Sequence, residues 1–386
     1  MNSLDVIIPV YNNAPYLKKC FDSILSTKDI IVNLLLIDDG SDDGSGAICD
    51  EYANDHDNVK TFHKPNGGVM SAISYGIEKS KGTYITIVDS DDWIEAETYD
   101  CISELLCREP DVIVYPIFRY FSDENVYKEE TYFSGEYSRE RILNEIFPMM
   151  IWSVPDSRFG LDPSLCNKIF KKDLLKKYVE KSSYLTGNYG QDVAILYPLM
   201  KEVNSAIFIE RGAYYHRQRA DSQVAPYFKK QDYAQKLYEL YEHLLTEFDD
   251  YEDIKRQIDY FYAYSVNLRL RAYGEEIPRR YYFFPYSSVP YNSRIILYGA
   301  GKIGKMYLSQ LKKNPAYRIV AWIDKNVEGN IEEFKIAKPW QITDFDFDYV
   351  VIAIENGSIA EAVINELGSI GIEREKIVWA IDCVKF

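Results

Sequence analysis

From residue 4 to residue 121 the chain alternates nearly continuous apolar, β-branched runs with stretches of helical spacing, and this alternation narrows the fold more than any other feature. "LDVIIPVY", "VNLLLIDDGS", "VKTFHKPNGG", "GTYITIVDSDDW" and "DVIVYPIFRYF" read as strands. Between them, "APYLKKCFDSILST" (Leu17, Cys20, Phe21, Ile24 and Leu25 on one face), "GSGAICDEYAND", "VMSAISYGIEKS" and "AETYDCISELLCRE" read as helices. Strands without a polar face must be covered on both sides, and helices of about 10–15 residues between them are the crossovers of a mostly parallel sheet. In such sheets ligands bind outside the carboxyl ends of the strands. Two acidic clusters, "IDDGSDDGS" and "VDSDDW", fall at those ends.

The remainder changes character twice. Residues 122–225 are irregular, with a hairpin expected at "NVYKEETYF". Residues 226–275 carry the apolar spacing of packed helices (Tyr233, Leu237, Leu240, Tyr241, Leu244, Leu245, then Ile254, Ile258, Phe261). "IPRRYYFFPYSSVPYNS", with three prolines and no period, reads as a linker, and strand–helix alternation restarts at "RIILYGAG". The expected organisation is an α/β domain over 1–225, a helical segment and linker over 226–290, and a second small α/β domain over 291–386.

Composition narrows the partners. With 44 basic and 60 acidic side chains the net charge is −16, which argues against nucleic acid or an anionic membrane as the main partner. No run reaches the roughly 18 apolar residues of a spanning helix, and Asp5 and Pro9 do not suit a signal peptide. Cys20, Cys49, Cys101, Cys107, Cys166 and Cys383 have no paired metal spacing and read as reduced thiols of a cytoplasmic protein. The 34 tyrosines suit half-exposed helix packing, sugar stacking or a membrane interface, and the count does not choose among them.

A site for a nucleotide diphosphate needs a counter-charge, usually Mg²⁺ or Mn²⁺ on one or two carboxylates, an acceptor for the base's imino proton, and a surface under the ring. Asp91 with Asp89 or Asp92 can hold the cation, Asp39 can accept from the base and Tyr11 can stack. Asn66-Gly67-Gly68 lets backbone approach a ribose just before a helix. Each feature alone also reads as an acidic turn or helix cap. Three at consecutive strand ends of one sheet point to a site.

"VIIPVYNNAPYLKKCFDSIL", "LLLIDDGSDDGS", "NGGVMSAISYGI" and "GTYITIVDSDDW" resemble, in order and spacing, the signature of family-2 inverting nucleotide-sugar glycosyltransferases of the GT-A (Rossmann-like) fold. The resemblance implies uridine contacts from Pro9, Tyr11 and Asp39, a ribose contact from Asp89, and Asp91 as ligand of Mn²⁺ or Mg²⁺. Where the family often has Ala-Arg-Asn, this chain has Ala72-Ile73-Ser74, so one donor contact is missing or replaced. "GQDVAILYPLM" resembles the family's Gly-Glu-Asp segment and implies Asp192 as general base, with Gln191 in the usual Glu position as an orienting residue on the acceptor side; a helix cap is the plain alternative for Asp192. "LCNKIFKKD" resembles the Asn-Lys segment of the acceptor side, which makes Lys168 a candidate there. "YYHRQRADSQV" resembles the loop that closes on the diphosphate, with Arg217, Arg219 and Ser222 against its charge and His216 completing the cation's shell. The resemblance further implies a UDP-sugar donor and a glycan or lipid-linked acceptor, in bacterial surface polysaccharide or teichoic-acid-like polymer synthesis. "PRRYYFFPY" would then be either a membrane-interface contact at the inner face of the cell membrane or a buried linker; the oligomeric state stays open, with the helical segment and the last domain as surfaces for self-association.

In the last domain "LYGAGKIGK" places Gly299, Gly301 and Gly304 between a strand and a helix, and Asp324 ends the next strand, which is a dinucleotide-type fingerprint. The one Tyr-x-x-x-Lys there, Tyr298 and Lys302, straddles the glycine turn, which counts against an NAD(P)-dependent sugar dehydrogenase or epimerase. The segment resembles small nucleotide-binding domains attached to bacterial sugar-modifying proteins. It is expected to bind a nucleotide or nucleotide sugar, or to serve assembly, without a reaction of its own. A nucleotide-sugar-binding protein that has lost catalysis is the non-enzymatic alternative.

Overall fold

Strand β1 (Leu4–Val10) is buried at every position, as an unbroken apolar strand requires. It is followed by α1 (Ala14–Leu25), β2 (Val32–Asp38), α2 (Ser45–Asp55), β3 (Val59–His63), α3 (Val69–Lys79) and β4 (Tyr84–Ile87). These strands pair in parallel in the order β3-β2-β1-β4, so the winding reverses between β1 and β4. Alternate residues of β1 and β2 (Val6, Ile8, Val10, Leu34, Leu36) pack in one cluster with Leu17, Phe21 and Ile24 of α1. The structure is a computed structural model, and it describes residues 4–95, 97–153, 156, 158–185, 190–219, 229–272, 280–312 and 314–385.

Beyond β4 come β5 (Trp93–Ile94), α4 (Glu97–Leu106), β6 (Val112–Val114), β7 (Ile117–Ser122), β8 (Asn125–Lys128), β9 (Gly135–Ser138), β10 (Lys168–Lys171), α5 (Lys172–Lys181), α6 (Gln191–Met200), β11 (Ser205–Phe208) and β12 (Tyr214–Arg217). β10 enters the main sheet antiparallel between β4 and β6, and β11 and β9 complete that edge. A second sheet runs β5-β12-β7-β8. The run read as one strand over 111–121 is therefore two strands in two sheets. Pro116 has no N–H to give a ladder, and the chain changes sheets there, its carbonyl accepting from Tyr214 N–H at 2.9 Å. The hairpin also differs from expectation: it joins β7 to β8 and turns at Asp123-Glu124, ahead of the segment expected.

Asp5, a carboxylate inside β1, is buried because it is fully paired. It accepts from Asn33 Nδ2 at 2.8 Å, Ser80 Oγ at 2.7 Å, Lys81 N–H at 2.8 Å and Gly82 N–H at 2.7 Å. Burial pushes its pKa up, but these hydrogen bonds outweigh burial and hold it below the ordinary carboxylate value.

The described residues fall into two compact units. The first runs through residue 250 except for 156, 158 and 229–238, which belong with 251–385 in the second. Helix α7 (Tyr233–Glu247) contributes to both. The second unit holds α8 (Glu252–Ala272), β13 (Arg280–Phe283), β14 (Arg294–Tyr298), α9 (Lys302–Leu311), β15 (Arg318–Ile323), β16 (Asn330–Ile331), β17 (Phe334–Lys335), β18 (Tyr349–Ile352), α10 (Gly357–Ser369), β19 (Ile377–Val378) and β20 (Asp382–Lys385). Its main sheet is parallel in the order β15-β14-β18-β19, and Ile296, Ile323, Val350 and Ile352 pack with Ala360 and Leu367 of α10. Among the described residues no helix is long and apolar enough to cross a membrane.

Candidate functional site

The loops leaving the carboxyl ends of β1, β2 and β4 are sewn into one rim at the point where the winding reverses. Asn12 donates its N–H to Ser41 Oγ at 3.1 Å and accepts from Asp42 N–H at 2.9 Å. Asn13 joins three loops at once: its N–H reaches Ser45 Oγ (3.0 Å), its Nδ2 reaches Ser90 Oγ (2.8 Å), and its Oδ1 accepts from Arg219 Nη1 (3.1 Å). Sequence reasoning missed Asn13, although an Asn-Asn pair directly after a strand end was its available signal. Of the residues expected at the base, Tyr11 ends the strand 47% exposed, with a ring free to stack. Pro9 is buried inside β1 and shapes the strand rather than offering a surface.

Asp39 takes the Gly67 N–H at 3.0 Å on Oδ1, the Gly68 N–H at 2.8 Å on Oδ2, and the Lys64 ammonium on Oδ1. It thus pins the Asn66-Gly67-Gly68 turn to the end of β2, and one acceptor position remains on Oδ2. Next to it, His63 lies between Asp38 (2.8 Å) and Asp50 (3.0 Å), and both raise its pKa. This pair of contacts was not read from the sequence.

The three acids after β4 have three different environments. Asp92 is buried and bonded twice to β12, accepting from Tyr214 OH and from Arg217 N–H, each at 2.7 Å. It fastens the second sheet to the acidic motif. Asp91 carries Arg219 Nη1 on Oδ2 at 3.2 Å, and its carbonyl accepts Arg217 Nε at 2.8 Å. The Asp89 carboxylate accepts no hydrogen bond among the described residues. Burial first, then the charges of Asp91 and Asp192, push its pKa up to about 7. The Arg217 guanidinium lies over the rings of Trp93 (4.7 Å) and Tyr16 (4.9 Å), and that of Arg219 lies over Tyr16 (4.7 Å). Two fixed guanidinium groups therefore flank the acids. Ser222 lies outside the described residues.

Gly190, at φ 70°, turns the chain into α6, which puts Gln191 and Asp192 in its first turn. Gln191 and the Gly67-Gly68 turn line one cavity of about 300 Å³, with Ser71, Ser74 and Ser182. Asp192 accepts from Leu165 N–H; burial pushes its carboxyl up to about 6, Lys168 opposes that rise and Asp162 adds to it. Lys168 is fully buried and does not line a surface. Its three N–H donors go to Asp162 O (2.8 Å), Ser164 O (2.6 Å) and Asn167 Oδ1 (2.7 Å). An ammonium with every donor used inside the protein has none left for an acceptor, so it acts through its field.

His216 of β12 pairs with Arg119 of β7. Its Nδ1 meets the Arg119 guanidinium, which can only donate. Burial and the Arg119 charge push its pKa down to about 4, so the ring is neutral near pH 7. Among the described residues no three carboxylate, imidazole or thiol groups converge on one point. A divalent cation held by only one or two side chains keeps room in its shell for phosphate oxygens, and Asp91 is available for that role.

In the second unit Gly299 (φ 110°) and Gly304 are demanded by packing. A Cβ on Gly304 would lie 1.9 Å from Gly299 O, and one on Gly299 would lie 3.0 Å from Ala353 O. The Asp324 carboxylate is taken by its own backbone, accepting from Ala300 N–H (2.7 Å), Asn326 N–H (2.7 Å) and Val327 N–H (2.9 Å). Dinucleotide recognition uses this acid for the ribose; here its capacity is nearly filled.

The family model described as glycosyl transferase family 2 matches residues 5–178, and one described as C2185-like, N-terminal, matches residues 291–378. The glycosyltransferase GlyG of Streptococcus pneumoniae serotype 4 is 30% identical over 226 residues, covering 57% of this chain and 72% of GlyG. The minor teichoic acid biosynthesis protein GgaB of Bacillus subtilis is 27% identical over 228 residues, which is 57% of this chain but 23% of GgaB. A crystal structure of S. aureus TarS 1-349 covers 70% of this chain and 72% of its own at 18% identity, with a TM-score of 0.48. With its GlyG-like span and its family match over the first sheet, this chain belongs to glycosyltransferase family 2.

Proposed function

We propose that the chain is an inverting glycosyltransferase that moves a sugar from a UDP-sugar to a hydroxyl of a glycan or lipid-linked acceptor. Its use would be the synthesis of a surface polysaccharide or teichoic-acid-like polymer. The observation that carries this reading is the set of groups at the carboxyl ends of β1, β2 and β4: an exposed Tyr11 ring, Asp39 holding the glycine turn, and an Asp89 carboxylate without a hydrogen bond beside Asp91. A half-buried carboxylate with no partner in the chain is open to a hydrogen bond from a ribose hydroxyl.

Asp91 would hold a Mn²⁺ or Mg²⁺ ion, which supplies positive charge to the donor's diphosphate. The acceptor hydroxyl oxygen attacks the anomeric carbon from the face opposite the diphosphate. The carbon–phosphate-oxygen bond breaks with its electron pair going to UDP, and the hydroxyl proton passes to Asp192. A carboxylate with pKa about 6 is mostly ionised at pH 7 yet more basic than an ordinary one, as a general base requires. Arg217 and Arg219, held on aromatic faces and on the Asp91 loop, neutralise the departing diphosphate. Gln191, which lines a cavity with Ser71 and Ser74, would orient the acceptor beside Asp192. Titration with UDP tests the cation's place: Asp91→Ala removes the Mn²⁺-dependent part of binding, and Mn²⁺-dependent binding that survives intact rules Asp91 out.

A further inference from the structure

The C-terminal unit contains a second cavity, of about 520 Å³, at the carboxyl ends of β14 and β18 where its own winding reverses. That volume is in the range of small-molecule sites. It is reached by the first residues of α9, Gly301 and Lys302, and its far wall is Ile354, Ile359 and Val363.

Three observations point to a ligand. Gly301 has φ −79°, open to any residue, and a Cβ there would meet nothing within 4 Å. Unlike Gly299 and Gly304, it is not required by packing, and it leaves the amino end of a ten-residue helix open. Tyr298 lines the same cavity, is 3% exposed, and its hydroxyl has no hydrogen-bond partner. Ile359 stands 53% exposed at the cavity's edge, an apolar face with nothing on it.

The charges describe the ligand. Lys302 and the free N–H groups of α9 favour an anion at the Gly301 end. Asp324 and Glu355 also border the cavity. Asp324, however, spends three of roughly four acceptor positions on backbone N–H groups, so it cannot take both hydroxyls of a ribose. We infer that this cavity binds a single nucleotide, its phosphate at Gly301-Lys302 and its base against Ile354 and Ile359, and that it is not a dinucleotide redox site. The inference does not depend on the glycosyl-transfer reading.

The test is calorimetric titration of the full chain with UMP, UDP, AMP and ADP, for the natural sequence, Gly301→Ala and Tyr298→Phe. Gly301→Ala meets no protein atom and leaves melting unchanged, so loss of fold does not confuse it. At least one nucleotide is expected to bind the natural chain, with affinity about tenfold weaker in Gly301→Ala, whose methyl group crowds the phosphate while the backbone N–H is kept. Tyr298→Phe weakens the same binding event, and glycosyl transfer in both variants stays at the natural rate. Equal affinity in all three chains, or no nucleotide binding beyond a UDP event that both variants keep, overturns the proposal.

Discussion

Lys168→Met separates a structural lysine from one that tunes the reaction. The natural ammonium makes three hydrogen bonds between 2.6 and 2.8 Å and is fully buried, and replacing it strands two carbonyl oxygens and one amide oxygen. Each hydrogen bond to a charged group contributes about 1.5–3 kcal/mol, while removing a buried ammonium recovers part of its desolvation cost, so the net loss of stability is about 2–4 kcal/mol. A urea unfolding midpoint reads that loss. The second effect is electrostatic. Lys168 holds the Asp192 carboxyl down against burial and against Asp162, leaving it at about 6. Without the lysine that pKa rises, so a larger fraction of the base is protonated at pH 7. The acid limb of kcat then moves to higher pH, and the rate at pH 7 falls further than the rate at pH 8. If the variant is destabilised but its acid limb stays where it was, Lys168 is structural only and Asp192 is not the group that titrates.

Two further outcomes follow from the first unit. Asp5→Ala removes an acceptor that satisfies four donors, and the unfolding free energy falls by about 3–5 kcal/mol. Because the folded pKa of Asp5 is lowered, the part of its contribution linked to ionisation is complete above the unfolded value of about 3.9 and is lost as pH falls through the folded value, so the gap between the variant and the natural chain narrows in acid. Asn13→Ala removes one of the acceptors that hold Arg219 and unties the β1 loop from Ser90, which raises the donor KM about tenfold with kcat little changed; an unchanged KM refutes its positioning role.

The main sheet was legible because β1, β2 and β4 are buried on both faces and their sequences have no polar face to suggest anything else. The same runs fixed where the acids emerge, and Asp39, Asp89 and Asp91 stand at those ends. What escaped the sequence depends on distant partners. Asn13 meets Ser90 and Arg219 across separations of 77 and 206 residues, and His216 meets Arg119 across 97, which no local pattern encodes. "NKIF" places a lysine on a strand but does not say that the 162–167 loop folds over its ammonium. Asp324 keeps the position of a ribose-binding acid while its oxygens serve three backbone N–H groups, a difference visible only in three dimensions. The break at Pro116 was readable: a proline inside a central run argues against one strand.

The central claim is that Asp192 takes the proton from the acceptor hydroxyl. Asp192→Asn keeps the size of the side chain and can still accept from Leu165 N–H, but it cannot act as a base. Measured side by side on the natural chain and this variant, UDP affinity with Mn²⁺ stays the same, while kcat for sugar transfer falls by about 10²–10⁴-fold. Transfer within a few-fold of the natural rate, with UDP binding intact, would contradict the account and put the base elsewhere.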